Sequence, residues 1–190
     1  MERAGAAAAN GFPPGELEQV FRSHPAYRYG ARNPVDFRSL GEGDSVTVGD
    51  YAFRCLETPG HTQGHLCLYE PNGRILVSGD HVLEDITPNI TGWLGDENHL
   101  EQYLGSLDRV ARLEVELVLP GHRWVFTDCR GRIQDLKHHH QDRAEEVYSI
   151  LDGGAMDGFQ VASRMTWDMT IPFDRFPGHG SWGRVVGVSV

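Results

Sequence analysis

The stretch Thr58-Pro59-Gly60-His61-Thr62-Gln63-Gly64-His65 lies between two runs with the composition of β-strands, Tyr51 to Leu56 and Leu66 to Tyr69. Two further segments repeat that context. Ser78-Gly79-Asp80-His81 ends the apolar run Arg74 to Val77, and Pro120-Gly121-His122 ends the run Val115 to Leu119. Each places a metal-capable side chain in a glycine-bounded loop beside a strand. Such loops let a rigid sheet aim side chains at a common point, and the adjacent glycines let backbone and ligand approach closely. Histidine nitrogens with a carboxylate suit zinc, and also iron or manganese. Taken singly these residues say little, because one His is more often a surface or hydrogen-bonded residue than a ligand, and Asp80 alone could cap a turn. The ordered set of three carries the reading.

Working outward, Val46-Thr47-Val48 and Tyr51 to Leu56 read as two strands around Gly49-Asp50. Leu66 to Tyr69 and Arg74 to Val77 read as a hairpin, in which the Asn72-Gly73 pair is expected to supply the positive φ of a tight turn. Residues 99 to 113 set Leu100, Tyr103, Leu104, Leu107, Val110 and Ala111 at three- and four-residue intervals, the stripe of an amphipathic helix, with Asn98 and Glu101 as a variant capping box. Val115 to Leu119 is a short buried strand. A second helix is expected from about Arg132 to Leu151, with Ile133, Leu136, Ala144, Val147 and Leu151 inward and Gly153-Gly154 as its stop. Strands followed by strand-helix alternation imply a layered α/β or α+β domain. Before this region, Glu16 to Arg22 reads as a short helix stopped by Pro25; after it, a helical stretch near Phe159 to Trp167 precedes a tail without pattern.

The 190 residues are 39% hydrophobic and 23% charged, which suits one globular domain with a small appendage. No apolar run approaches the roughly 18 to 20 residues of a membrane-spanning helix, so a chain without membrane association is expected. Ala6 to Ala9 lacks the basic flank and long apolar core of a secretory signal. The net charge of −10, from 27 acidic and 17 basic residues, disfavours nucleic acid as a partner. Cys55, Cys67 and Cys129 form no CxxC pair and are odd in number, so neither a disulfide framework nor a thiolate zinc site is indicated, and a reducing cytoplasm is the expected location.

In this order, TPGHTQGH, SGD and LPGH resemble the third, fourth and fifth metal-binding motifs of the metallo-β-lactamase superfamily. The likeness runs from about residue 45 to about 170 and is nearest to hydroxyacylglutathione-hydrolase-like members, including lactamase-like proteins with a helical, winged-helix-like C-terminal extension. The resemblance implies an α+β fold, the αββα sandwich in part, with a metal site at one edge of its sheets. It divides the chain into a lead-in over 1–44, the C-terminal part of the metallo-β-lactamase-like domain over 45–151, and a helical remnant over 152–190. It further implies that His61 completes one metal site and His122 another, and that Asp80 bridges both and is the catalytic carboxylate. The cofactor implied is Zn2+, one or two ions, with Fe or Mn as alternatives, and the nucleophile a hydroxide held between them. The absence of a Gly-x-Ser-x-Gly elbow agrees with that chemistry.

One departure stands out. The family's HxHxDH motif, which supplies four ligands upstream of these three, is missing, so the chain reads as a fragment, a sequence with a misplaced start, or a degenerate member. Of the remaining histidines, His65 is expected to support its loop by hydrogen bonding. His81 is balanced between a supporting and a substrate-contacting role, and His138-His139-His140 forms a solvated helix face. Trp93, Trp124 and Trp167 are pocket candidates, although large aromatics are more often core. The function expected is metal-dependent hydrolysis of a small-molecule ester, thioester or related acyl substrate. The alternatives are a non-catalytic interaction module and a phosphodiester or RNA hydrolase, the latter disfavoured by the charge. Exposed sheet edges make a homo-oligomer an expectation.

Overall fold

The computed structural model describes residues 37–90, 98–167 and 173. The helix expected over Glu16 to Arg22, Trp93 and the patternless tail lie outside them. The chain divides into two compact units, Phe37–Thr91 with Asn98–Gln141, and a second that holds Asp142 onward.

The first unit is built on a five-stranded sheet in the order β1 (Ser45–Val48), β2 (Tyr51–Glu57), β3 (Leu66–Glu70), β4 (Ile75–Gly79), β5 (Leu117–Pro120). The first four strands are antiparallel to their neighbours, whereas β5 runs parallel to β4. Parallel strands need a crossover, and here it contains helix α1 (His99–Val110). β2, β4 and β5 therefore point the same way. Their C-terminal residues, Glu57, Gly79 and Pro120, reach one edge of the sheet, and each of the three loops singled out in the sequence leaves from that edge.

Local chemistry accounts for the turns. Between β1 and β2, Gly49 takes φ +59 while Asp50 does not go positive, the pattern of a two-residue turn with glycine first. The β3–β4 hairpin corrects the expected Asn-Gly turn. Its loop spans four residues, Pro71 to Arg74, and the positive φ, 54°, belongs to Arg74. The buried carboxylate of Glu70 closes this loop by accepting hydrogen bonds from the Asn72 backbone and side-chain amides and from Gly73 N–H. That clamp replaces the tight turn.

α1 begins where expected: the Asn98 side chain accepts from Glu101 N–H at 3.0 Å. Of its apolar stripe, Tyr103, Leu107 and Val110 are fully buried and Leu100, Leu104 and Ala111 partly so. They pack with Cys67, Leu76 and Val118 of the sheet and with Ile133 and Leu136 of α2 (Cys129–Leu151). α2 starts three residues earlier than the apolar spacing suggests, because Asp128 accepts from Gly131 N–H at 2.8 Å and caps that end. All three cysteines are buried and free.

In the second unit, the expected inward face of α2 is corrected: Ala144 and Leu151 are exposed, and Val147 is half-buried. The helix is held there by Arg143, which donates to Glu146 Oε2 at 2.7 Å and to the Thr166 carbonyl at 2.6 Å and lies 4.4 Å from the Trp167 ring centre. α3 (Gly158–Arg164) carries a reciprocal capping box between Asp157 and Gln160. No helix among the described residues is long and apolar enough to cross a membrane.

Candidate metal centre

The loop after β2 closes on itself through Thr58 N–H to the His65 carbonyl at 2.9 Å and His65 N–H to the Thr62 carbonyl at 3.3 Å. At Gly60, φ is +135, and a Cβ would stand 2.5 Å from Tyr103 Cα. The loop thus lies directly on the α1 backbone, an approach open only to glycine. The loop after β4 turns at Gly79, φ +51, where a Cβ would meet His65 Nε2 at 2.8 Å. Gly121 in the loop after β5 donates to the Gly79 carbonyl at 2.7 Å, and a Cβ there would reach Asp80 Oδ1 at 2.6 Å. Three of the glycines are spacers that let three loops interlock.

This interlocking brings His61, Asp80 and His122 together. His61 Nε2 lies 3.6 Å from Asp80 Oδ2, and His122 Nε2 lies 3.5 Å from Asp80 Oδ1. One carboxylate thus offers a different oxygen to each imidazole. Both separations exceed the 2.7–3.2 Å of a hydrogen bond. They match instead the roughly 3.3 Å between two donors that each sit about 2.0–2.1 Å from one tetrahedral ion. His61 Nδ1–H donates to the Asn89 carbonyl at 2.7 Å, which fixes the tautomer whose Nε2 lone pair faces Asp80. Two imidazole nitrogens and a carboxylate are donors that would suit a divalent cation, with two protein donors about each Asp80 oxygen, while among the described residues no group of three or more His, Cys, Asp or Glu is arranged to hold a metal ion.

His65 supports the arrangement as expected. Its Nε2 accepts from Asp80 N–H at 3.2 Å, which leaves Nδ1–H to donate to Thr58 Oγ1 at 2.8 Å. Burial, with the neighbouring His61 second, lowers its pKa. His81, balanced from sequence between a supporting and a substrate-contacting role, turns its ring into the interior. It is fully buried, its ring lies edge-on to Tyr103 at 5.1 Å, and neither ring nitrogen has a hydrogen-bond partner among the described residues. Burial drives its pKa down to about 3. His138 and His139 stand on the exposed face of α2, whereas His140 turns inward against Tyr103, 5.5 Å between ring centres, and burial lowers it to about 4. Trp124 is exposed.

Sequence reasoning missed the anchors on α1. Tyr103 Oη donates to the His81 carbonyl at 2.9 Å and Ser106 Oγ to the Pro59 carbonyl at 2.9 Å, so one helix face ties down both the Asp80 loop and the His61 loop. Gln63 adds a third tie, its amide donating to His99 Nε2 at 2.9 Å and to Gln102 Oε1 at 3.1 Å. The available signal was Ser106, a polar residue one turn from Tyr103 on an otherwise apolar stripe.

Comparison with known proteins sets this geometry in context. The sequence model of the metallo-beta-lactamase superfamily matches residues 3–122. A probable metallo-hydrolase of Bacillus subtilis, YqjP, is 31% identical over 160 residues, 81% of this chain and 49% of that protein. The acyl-coenzyme A thioesterase MBLAC2 of Homo sapiens is 34% identical over 91 residues, 46% of this chain and 31% of that protein. Among solved structures, a metallo-beta-lactamase family protein from Thermus thermophilus superposes with a TM-score of 0.76 at 28% identity, covering 96% of this chain and 55% of that one. A beta-lactamase domain protein from Burkholderia ambifaria gives 0.72 at 26% identity, covering 92% and 51%. The chain thus spans about half the length of these two structures and of the Bacillus protein.

Proposed function

The chain belongs to the metallo-beta-lactamase superfamily, and on that premise we propose that it is a metal-dependent hydrolase of an ester, thioester or related acyl compound. The observation that carries this reading is the pair of nitrogen–oxygen separations about Asp80, 3.6 and 3.5 Å, each suited to two ligands of one ion. His61 and His122 would each hold a cation together with Asp80. Zinc suits this donor set, and iron or manganese are the alternatives. When bound, such a cation polarises a carbonyl oxygen and acidifies water at the site. The residues of the chain hold the donors in place: Asn89 orients His61, and His65 holds the backbone of Asp80 through its amide. The thioesterase among the relatives supports the acyl substrate class.

Two protein donors per position forgo part of the chelate advantage of three or more. That count favours a second reading, a non-catalytic member acting as an interaction module. Both are tested by equilibrium dialysis of the chain against zinc together with hydrolysis of a short thioester. The expected result is zinc uptake that Asp80→Ala abolishes and either histidine change weakens, accompanied by hydrolysis lost in the same variants. Uptake unchanged by Asp80→Ala would remove the metal assignment. Asp80-dependent uptake without hydrolysis selects the non-catalytic reading.

A further inference from the structure

After β4 the chain runs from His81 to Ile90 without a strand or helix, so its backbone carbonyls need donors from elsewhere. Side chains supply several of them. The Ser78 hydroxyl donates to the Val82 carbonyl at 2.7 Å, and the Tyr103 hydroxyl to that of His81 at 2.9 Å. Arg132, in the first turn of α2, holds two more: its Nε donates to the Leu83 carbonyl at 2.7 Å and its Nη2 to the Ile86 carbonyl at 2.9 Å. The rigid fork of a guanidinium suits such a paired grip, which the point charge of a lysine does not reproduce.

From the Ile86 carbonyl to that of Asn89 the backbone has little freedom left. Pro88 is buried and its ring fixes φ, while Thr87 before it is restricted to extended conformations. Ile90, just beyond, packs against the core. The Asn89 carbonyl therefore stands where Arg132 holds the loop, and it accepts from His61 Nδ1–H at 2.7 Å. A second acceptor competes for the imidazole proton. Asp80 Oδ2 lies 3.6 Å from His61 Nε2, and a ring that carried its proton on Nε2 would turn a donor toward Asp80 and keep no lone pair there for a cation.

We infer that Arg132 is a positioning residue for His61: by fixing the loop over residues 83–89 it keeps the imidazole proton on Nδ1 and the Nε2 lone pair toward Asp80. The consequence for metal binding rests on the metal-centre reading above; the tautomer of His61 does not.

The test compares the full chain with Arg132→Leu, Arg132→Lys and, as control, Arg130→Leu at an exposed neighbouring position of α2. Imidazole proton positions are read from long-range 1H–15N spectra of the zinc-free chain at about pH 8, above the ordinary histidine range, and zinc affinity by equilibrium dialysis. The parent and Arg130→Leu should show His61 protonated on Nδ1. Arg132→Leu should move that proton wholly or partly to Nε2 while His65 keeps its own on Nδ1, a selective change that general loosening of the fold would not produce. Loss of a partner that orients a metal-binding histidine weakens metal affinity about 10–100-fold; because Arg132 acts through Asn89, about tenfold is expected, and less in Arg132→Lys. Should Arg132→Leu fail to fold, Arg132→Lys carries the comparison. A parent without the Nδ1–H form, an unmoved His61 tautomer, or zinc affinity unchanged in a chain that binds it overturns the inference. If the parent takes up no zinc, the metal reading falls, and the tautomer shift alone decides whether Arg132 positions His61.

Discussion

Replacing Gly60 by Ala tests the way the metal loop is seated. The residue has φ +135, and an added Cβ would fall 2.5 Å from both Cα and Cβ of Tyr103 and 2.7 Å from its N. Ordinary contact needs about 3.5–4.0 Å, so the loop and the α1 backbone must part by roughly 1 Å. Neither can yield by turning a side chain, since two of the three opposing atoms are backbone. Strain at a positive φ costs about 1–3 kcal/mol, and overpacking a close contact costs about 1–3 kcal/mol more. The expected loss is therefore about 2–6 kcal/mol, large against the roughly 5–15 kcal/mol of a whole domain. Gly64→Ala is the control, because the same loop has open space there and no positive φ, and it should change stability by less than about 0.5 kcal/mol. Urea unfolding of both variants gives the difference. Adding Tyr103→Ala should not restore Gly60→Ala, because the backbone atoms remain. If Gly60→Ala unfolds within about 1 kcal/mol of Gly64→Ala, the loop is not pressed against the helix as described.

Tyr103→Phe keeps the ring but leaves the buried His81 carbonyl without its donor. A loss of about 1–3 kcal/mol is expected, with faster amide exchange at residues 80–82; unchanged exchange would show that the hydroxyl does not hold the Asp80 loop. Leu107→Ala empties a fully buried position between helix and sheet and should cost about 2–5 kcal/mol by the same unfolding assay. For His140, burial lowers the pKa from 6.5 to about 4 in the folded chain. The unfolded chain therefore binds a proton that the folded one does not across that interval. The stabilisation is complete above pH 6.5 and falls as pH drops toward 4, by at most about 1.4 kcal/mol per pH unit. His140→Leu should flatten the pH dependence of unfolding between 6.5 and 4, and an unaltered slope would show that this ring is already solvated.

What could be read from the sequence follows the reach of each signal. The strands, α1 and its Asn98 cap were legible because alternation, helical spacing and capping are written within a few residues of one another. The β3–β4 turn was misread for a specific reason: Asn-Gly is a strong local signal, but Glu70, just outside the loop, binds the loop's amides and shifts the left-handed residue to Arg74. α2 began early because Asp128 caps it ahead of the first apolar residue. Its far half was over-read as buried, since helical spacing places Ala144 and Leu151 on one stripe without saying whether anything covers it.

The candidate site divides along the same line. His61, Asp80 and His122 were visible because each announces its chemistry beside its own glycine, and β2, β4 and β5, running in one direction, deliver them to one edge. Tyr103 was visible only as core, because its hydroxyl partner lies 22 positions away in sequence and nothing local marks it. A buried tyrosine nevertheless needs a partner for its hydroxyl. In this fold the neighbouring sheet-edge loops are where unpaired carbonyls stand, since strand pairing has already consumed those within the sheet. The same reasoning applies to Ser106 and the Pro59 carbonyl. Polar groups on the buried stripe of a crossover helix thus point to the loops it braces. In this chain both braced loops carry candidate ligands, so the packing that stabilises α1 is also what holds His61 and Asp80 in register.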